Sequence, residues 1–553
     1  MSFMSRSGPS SCQPNSRSPG AWFTALVLLS AFAGSGWAQQ SGKPDVATYG
    51  PYAGLAYGQF PDVTQQRFRV HDAIALPNDQ VVAAATCEAV GASTPGTRFC
   101  LVMWNSTGTF TNTFIHSSPN NRVSPSANGA IARQQDGKFV VAAPCGSMTA
   151  SSPDPNTFMC VARFNADFSS DSAFGLPGAN TGVVMSESFT SSSFANAVAV
   201  QPDGKIIVAG QCGIASGTAM CAARYSAAGI PETGFGGGSF ATRVMPTNRS
   251  ISAYDVVKRI ALAPDGKIYL GGYCNQQDNS YRACVTRLNA DGSIDVGFNG
   301  SSGKPLILPQ MGAASTTYDR IDDMIVQANG EFIFAGACLT ADSFTLVPCA
   351  LRMGAPNATQ FTPGTWYLGA AASTGSSNLR EPVVSGVDMA MVRVFLQADG
   401  KMIALLSKGD PSTDFVVRRY NEDGSRDANW AEVSFDFNRV ADGQSFARGV
   451  ALVQQYAGQI LAVGTTANSS TGRPRIIRLE NRANVGRNCS MDIDGDGVVS
   501  PTTDGLLLAR AAAGMTANAV TASAVAPIGA KRNTWPLIRD YLIQQCGMSG
   551  VRP

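Results

Sequence analysis

The sequence predicts an all-β protein, a seven-bladed β-propeller of four-stranded repeats, followed by a small α-helical C-terminal calcium-loop module. Three observations predict it. One apolar–turn–apolar segment recurs seven times at intervals of roughly 60 residues. Cysteines recur at one position of that repeat, and the pattern stops after Arg478, where an aspartate-rich loop follows. A chain of 553 residues exceeds what one hydrophobic core supports, so an array of units packed on their neighbours is expected.

Residues 1–38 read as a signal peptide. Arg6 and Arg17 precede an apolar run from Ala21 to Ala33, and Gly36 and Ala38 supply a small-x-small cleavage pattern. The run is too short to cross a bilayer, so no membrane span is expected. The mature chain is expected to be secreted: extracellular, at the cell surface or periplasmic, in an oxidising compartment. Residues 39–64 form an N-terminal segment. Its end runs into the first repeat as YGQFPDVTQQRFRV, a stretch placed to close the last blade as its outer strand.

Residues 65–482 hold the seven repeats. The clearest are VAVQPDGKIIVAGQC from Val198 and IALAPDGKIYLGGYC from Ile260. The loosest are AIALPNDQVVAAATC from Ala73 and VALVQQYAGQILAVGTT from Val450. The steps Asp203-Gly204, Asp265-Gly266, Asn329-Gly330 and Asp399-Gly400 predict type I′ hairpins, in which both central residues take positive φ. A third strand follows, as in CAARYSAAG from Cys221, then a Phe-Gly turn and a short fourth strand. Four antiparallel strands make one blade.

These residues, QPDGKIIVAG with ARYSAAGIPETGFG and APDGKIYLGG with TRLNADGSIDVGFNG, resemble the delta-60 repeat family of bacterial exported proteins. The resemblance spans roughly residues 65–480. It implies a β-propeller-like fold and no general biochemical activity.

Of 13 cysteines, Cys12 falls in the signal, and ten others form local pairs: Cys87/Cys100, Cys145/Cys160, Cys212/Cys221, Cys274/Cys284 and Cys338/Cys349. In each, one thiol ends the second strand and the other begins the third, so disulfides between opposed residues are expected. None has metal-ligand spacing, and the two histidines cannot complete a zinc site. Repeats six and seven carry Lys408/Val416 and Thr466/Arg475 there instead, and are expected to hold by packing alone.

Residues 483–553 form a dockerin-like calcium-binding module. In CSMDIDGDGVVSPTTDGLLLARAAAG, Asp492, Asp494 and Asp496 occupy alternate positions of a calcium loop. Gly497 makes the sharp turn, and Val498 offers a carbonyl. Asp504 would close the loop one place late, which requires an inserted residue near Pro501. With Leu506, Leu507 and Arg510 on the helix that follows, the segment resembles one half of a type I dockerin. No second acidic loop precedes the helix bearing Trp535, Ile538, Tyr541 and Leu542, so a cohesin partner is not expected. Joining Cys489 to Cys546 would clamp the module, and Ca²⁺ is expected to be structural.

Function is harder to place. Net charge is +2 without a Lys/Arg block, which removes the electrostatic footprint of a nucleic-acid binder. Only His71 and His116 could serve acid–base chemistry, and neither lies in a recognisable motif. One repeat position departs from the rest. Six residues before the hairpin Asp or Asn, the repeats read Ala73, Ala130, Ala197, Arg259, Asp323, Arg393 and Ala451, with Lys258 and Asp322 beside the charged ones. If first strands line the channel, Arg259, Asp323 and Arg393 form either a salt-bridge cluster satisfied within itself or a ligand site for an anion or carbohydrate. A non-catalytic binding or structural role, with an extracellular protein or glycan as partner, is the leading expectation. The alternative is a secreted polysaccharide hydrolase or lyase using carboxylates such as Asp322 and Asp323.

Overall fold

The computed structural model describes residues within 55–57, 68–479 and 491–551, apart from loop residues inside those spans; the signal segment, Cys489 and Gly497 lie outside the described residues. The hairpin steps set the local pattern. In the second repeat Gly137 N donates to Gln134 O (3.0 Å) and Gln134 N to Lys138 O (2.8 Å). Gly137 has φ +88°, and Asp136 is absent from the residues with positive φ. This is a type I turn closed by a left-handed glycine, not the expected type I′ step. The aspartate itself explains the difference. Its carboxylate accepts the N–H two residues on, from Lys138 (3.1 Å), Lys205 (3.1 Å) or Lys267 (3.0 Å), and an Asx turn of this kind keeps Asp right-handed. In the first repeat Asp79 takes the glycine's role with φ +62°. Asn78-Asp79 therefore corresponds to Asp-Gly elsewhere.

Seven sheets form among the described residues. The first runs Phe68–Ala75, Val81–Glu88, Thr97–Trp104, Phe110–Ile115, in chain order and antiparallel. The last takes Phe446–Gln454, Ile460–Ala467 and Gly472–Leu479 from one end of the chain and Leu55–Tyr57 from the other, with Leu55 opposite Ile477. Because both faces of every sheet are covered, second strands read as continuous apolar runs. Successive residues still serve different neighbours: Val81, Ala83 and Ala85 pack against the seventh sheet, Val82 and Ala84 against the second. One apolar cluster fills each gap between neighbouring sheets, the gap between seventh and first included. First strands touch those of both neighbours in an unbroken cycle.

Six first strands carry a bulge at one place: at His71, Asn196, Lys258, Asp322, Val392 and Val450 the register slips by one residue. Across from it stand Gly210, Gly272 and Gly336, where a Cβ would run into the carbonyl oxygen of Phe194, Val256 or Arg320.

All five repeat cystines are present, with Cα–Cα distances of 5.7–6.0 Å. They bridge diagonally and not between opposed residues: Cys212 faces Ala219 while Cys221 faces Gly210. In the seventh sheet the equivalent place holds a hydrogen bond from Arg475 Nε to Thr466 Oγ1 (3.2 Å), with both residues wholly buried. Packing is thus not its sole support.

A second device recurs at the outer turns. Asp295 accepts from Lys267 Nζ (2.8 Å) and Arg287 Nε (2.8 Å), Arg287 lies 4.4 Å over the Phe298 ring, and its Nη1 donates to Asn357 O in the next sheet (2.8 Å). Asp171 and Asp427 repeat the pattern with Arg163 and Arg419. Arg478 of the seventh sheet reaches Ser106 O of the first (3.3 Å). Burial would raise the Asp171, Asp295 and Asp427 carboxyls, but the lysine and arginine contacts outweigh it and hold them below the ordinary 3.8. A carboxylate depressed by folding contributes stability that is complete above its unfolded value and vanishes as pH falls through its folded one. Acid titration followed by circular dichroism is therefore expected to show loss of structure beginning below about pH 4. Asp295→Asn should shallow that loss; an unchanged acid profile would deny the latch its role.

The C-terminal helices Leu506–Ala512, Asn518–Thr521 and Trp535–Gln544 enclose a separate core of Ile493, Leu507, Val520, Trp535, Ile538 and Leu542. Around Pro501 the chain makes one π-type turn, Pro501–Gly505, capped by Ser500.

Candidate functional site

Where the first strands converge lies a cavity of about 90 Å³, room for several water molecules. The bulges furnish its wall. A bulge turns one extra residue away from the ladder, here His71, Asn196, Lys258, Asp322, Val392 and Val450, and Gly129 holds that place in the second sheet. Arg69, Arg259, Arg393 and Arg448 complete the charged lining. Five cationic side chains thus face one carboxylate, Asp322.

The structure corrects the alignment of the charged position. Asp72 faces Ala84 just as Arg259 faces Gly271 and Asp323 faces Ala335, so the first repeat contributes Asp72 and not Ala73. Reading Asn78-Asp79 one place late hid it. Arg259 Nε donates to Asp323 Oδ1 (2.8 Å), and Arg393 Nη2 to Asp72 Oδ1 (3.3 Å). Asp323 Oδ2 accepts Val394 N (2.8 Å). Burial raises both the Asp72 and the Asp323 carboxyl, against the pull of Arg259. The triplet is therefore brought together and paired, with Arg259 and Arg393 also reaching the cavity.

The surplus cations stand around it. Burial lowers Lys258 and Arg448, and each is lowered further by other cations, while Asp322 opposes the shift in both. Asp322 is itself held by Arg320 Nε (2.8 Å). Arg259 Nη2 is buried without a hydrogen-bond partner. His71 touches Thr86 Oγ1 (3.2 Å) and is pushed down to about 3 by burial, Arg69 and Arg448. His116, pushed down to about 4 by burial, sits away from the cavity against Arg163 O. Sequence reading missed Arg69, Arg448 and Asn196. With the repeats aligned, Arg69, Arg320 and Arg448 fall in one register, and that recurrence was the available signal.

In the C-terminal segment, carboxylate oxygens of Asp492, Asp494 and Asp504 lie within 4.8 Å of one another. Asp492 Oδ1 accepts Gly495 N (2.7 Å) and Asp496 N (3.1 Å), and Asp496 Oδ1 accepts Val498 N (2.7 Å). Asp504 receives Ile493 N, Asp494 N, Ser500 N and Thr503 Oγ1, and so organises the loop from behind. Burial, then the neighbouring Asp504 and Asp496 charges, raise the Asp494 carboxyl despite its backbone hydrogen bonds. Arg532 supplies one countercharge, donating to Ile493 O (2.7 Å) and Asp492 O (2.6 Å) while lying 3.9 Å over Tyr541. Clustered hard oxygen donors of this kind suit a hard divalent cation. Cys546 is disulfide-bonded.

Residues 201–235, 263–298 and 397–429 match a family model described as "Domain of unknown function (DUF5122) beta-propeller". They are the turn-and-hairpin portions of the third, fourth and sixth sheets. The fold is a β-propeller. A search of curated proteins found no match. Among solved structures the propeller is similar to Sqt1 of Chaetomium thermophilum bound to the N-terminus of ribosomal protein L10, at 11% identity and TM-score 0.40, covering 77% of this chain and 99% of that one. It is also similar to a protein of unknown function from Dyadobacter fermentans, at 9% identity and TM-score 0.36, covering 78% and 100%. The polysaccharide lyase Uly1 stands at 10% identity and TM-score 0.37, covering 77% and 92%. No helix among the described residues is long and apolar enough to cross a membrane.

Proposed function

We propose that this chain is an exported, non-catalytic seven-bladed propeller that binds an anionic ligand in its axial cavity and carries a structural calcium site in a dockerin-like C-terminal module. The observation that carries the reading is the charge of the cavity wall, where Arg69, Lys258 and Arg448 stand around Asp322 and add to Arg259 and Arg393, whose charges Asp323 and Asp72 offset from behind. Crowded, partly desolvated cations disfavour one another, and a bound anion relieves that repulsion while offering acceptors to Arg259 Nη2. The chemistry of the wall favours binding over catalysis. Asp322 and Asp323 are each committed to an arginine, and a histidine near pKa 3 is a poor general base at neutral pH. Seven repeats, seven packed gaps and the pairing of Leu55–Tyr57 with the last sheet support a closed ring. The five cystines suit an oxidising compartment.

Calorimetric titration with citrate, sulfate and galacturonate is expected to detect binding that weakens as salt is raised. Arg448→Met should weaken it by roughly tenfold. Failure of every anion to bind, or indifference to Arg448→Met, would overturn the reading.

For the calcium site, Asp492, Asp494 and Asp504, whose carboxylate oxygens lie within 4.8 Å of one another, would hold the ion, with Asp496 and the Val498 carbonyl completing the loop's donors. With free Ca²⁺ a hundredfold above its dissociation constant, the folded module gains about 2.7 kcal/mol. Chelator is expected to lower the module's melting temperature, followed through Trp535 fluorescence. An identical melt with and without chelator would remove the site.

A further inference from the structure

Beside the axial cavity three tyrosines from the fourth and fifth repeats form a ridge of ring contacts, with a fourth, Tyr254, near one end. Lys258, which lines the cavity, places its Nζ 5.8 Å over the Tyr273 ring. Tyr273 packs edge-on against Tyr281 (5.6 Å), and Tyr281 meets Tyr318 (4.9 Å). Tyr254 pairs in parallel with Thr218, and its short strand Ala253–Tyr254 also touches Ile268–Asn275, the strand that carries Tyr273. Tyr254 and Tyr318 are 48% and 51% exposed. Their backbones are anchored: Asp255, next to Tyr254, accepts Asn275 N (3.0 Å), and Asp319, next to Tyr318, accepts Met311 N (2.8 Å) and donates its own N–H to Tyr281 O (2.9 Å). At the Tyr273 position the other repeats carry Thr86, Pro144, Gln211, Ala337, Ser407 and Thr465. The ridge is specific to one sector, and that sector also holds Lys258, Arg320 and Asp322.

We infer that the ridge and the cavity form one binding track for an acidic polysaccharide, with a carboxylate- or sulfate-bearing unit in the cationic cavity and adjoining sugar rings stacked on Tyr254 and Tyr318. The inference rests on the anion-binding reading above and extends it. Two features select a glycan over an acidic protein segment. Exposed tyrosine faces carry negative quadrupoles that meet the C–H faces of pyranose rings, and the phenolic rims offer hydrogen bonds to sugar hydroxyls.

The test titrates the mature chain with four probes: galacturonic acid, an oligogalacturonide of eight units, the neutral cellohexaose, and polyglutamate. The octamer is expected to bind at least about tenfold more tightly than the monomer. In Tyr254→Ala/Tyr318→Ala that gain should disappear while monomer affinity stays unchanged. Lys258→Met should weaken both, and cellohexaose should not bind. The milder Tyr318→Leu, with its melting temperature as a check on folding, should lose part of the gain. If octamer and monomer bind equally, or if polyglutamate binds as tightly as the octamer irrespective of the tyrosine changes, the glycan track is overturned while the anion site stands. If the monomer fails as well, the anion site falls with it.

Discussion

Asp323→Ala is expected to lower the free energy of unfolding by about 3–5 kcal/mol. The carboxylate meets Arg259 at 2.8 Å and Val394 N at 2.8 Å, and the Asp323 and Arg259 side chains are only 10% and 13% exposed. Removing the acid leaves a guanidinium buried in a wall already crowded with positive charge, and its desolvation is no longer offset. The pair is expected to matter through this asymmetry more than through any large net attraction. Replacing both partners together, as Asp323→Leu with Arg259→Met, should therefore recover much of the loss. Urea midpoints of the three variants measure the difference. A single-variant loss under about 1 kcal/mol would mean that water reaches the pair and treats it as a surface ion pair.

Reduction of the cystines is expected to have the second large effect. Each closes a segment with a sequence separation of 9–15, worth about 3 kcal/mol apiece in the chain-entropy account. Mild reductant should lower the unfolding midpoint steeply, and hydrogen exchange should rise in the first five sheets. In the oxidised protein the sixth sheet should exchange fastest, because Lys408 and Val416 stand where the others are linked. The seventh should come next, held there by Arg475 and Thr466. Amides of Met402–Lys408 as protected as those of Ile268–Asn275 would contradict that order.

Much of this architecture was legible in the chain. The repeat, the hairpins marked by an Asp-Gly or Asn-Gly step and the five cysteine partners follow from spacing alone, because a strand–turn–strand unit writes its period directly into the sequence. What spacing hides is register. A bulge adds a residue without adding a letter that looks unusual, so His71, Asn196 and Val450 gave no sign that they face the cavity. The same blindness made the cystines look opposed when they are diagonal. Asn78-Asp79 lacks the glycine that marks the turn elsewhere, which shifted the first repeat by one and concealed Asp72. The tyrosine ridge escaped notice because Tyr273 and Tyr281 belong to the fourth repeat and Tyr318 to the fifth, and they meet only when neighbouring sheets pack. Lys258 and Asp322, by contrast, were visible as neighbours of the charged position.

The outer strand Leu55–Tyr57 has a consequence for how the molecule is made. Sheets one to six are assembled from strands that follow one another, so each can pair and oxidise soon after it is synthesised. The seventh cannot. Its fourth strand precedes every other described strand in the chain and its partner Gly472–Leu479 follows them, and Val70 N reaches Thr465 Oγ1 across 395 residues. Until then the growing arc carries an unpaired strand at one end and an uncovered apolar face on its first sheet, both invitations to join another chain. A product truncated before Gly472 keeps those surfaces for good. The seam thus covers both ends of the arc only once Gly472–Leu479 is present to pair with Leu55–Tyr57.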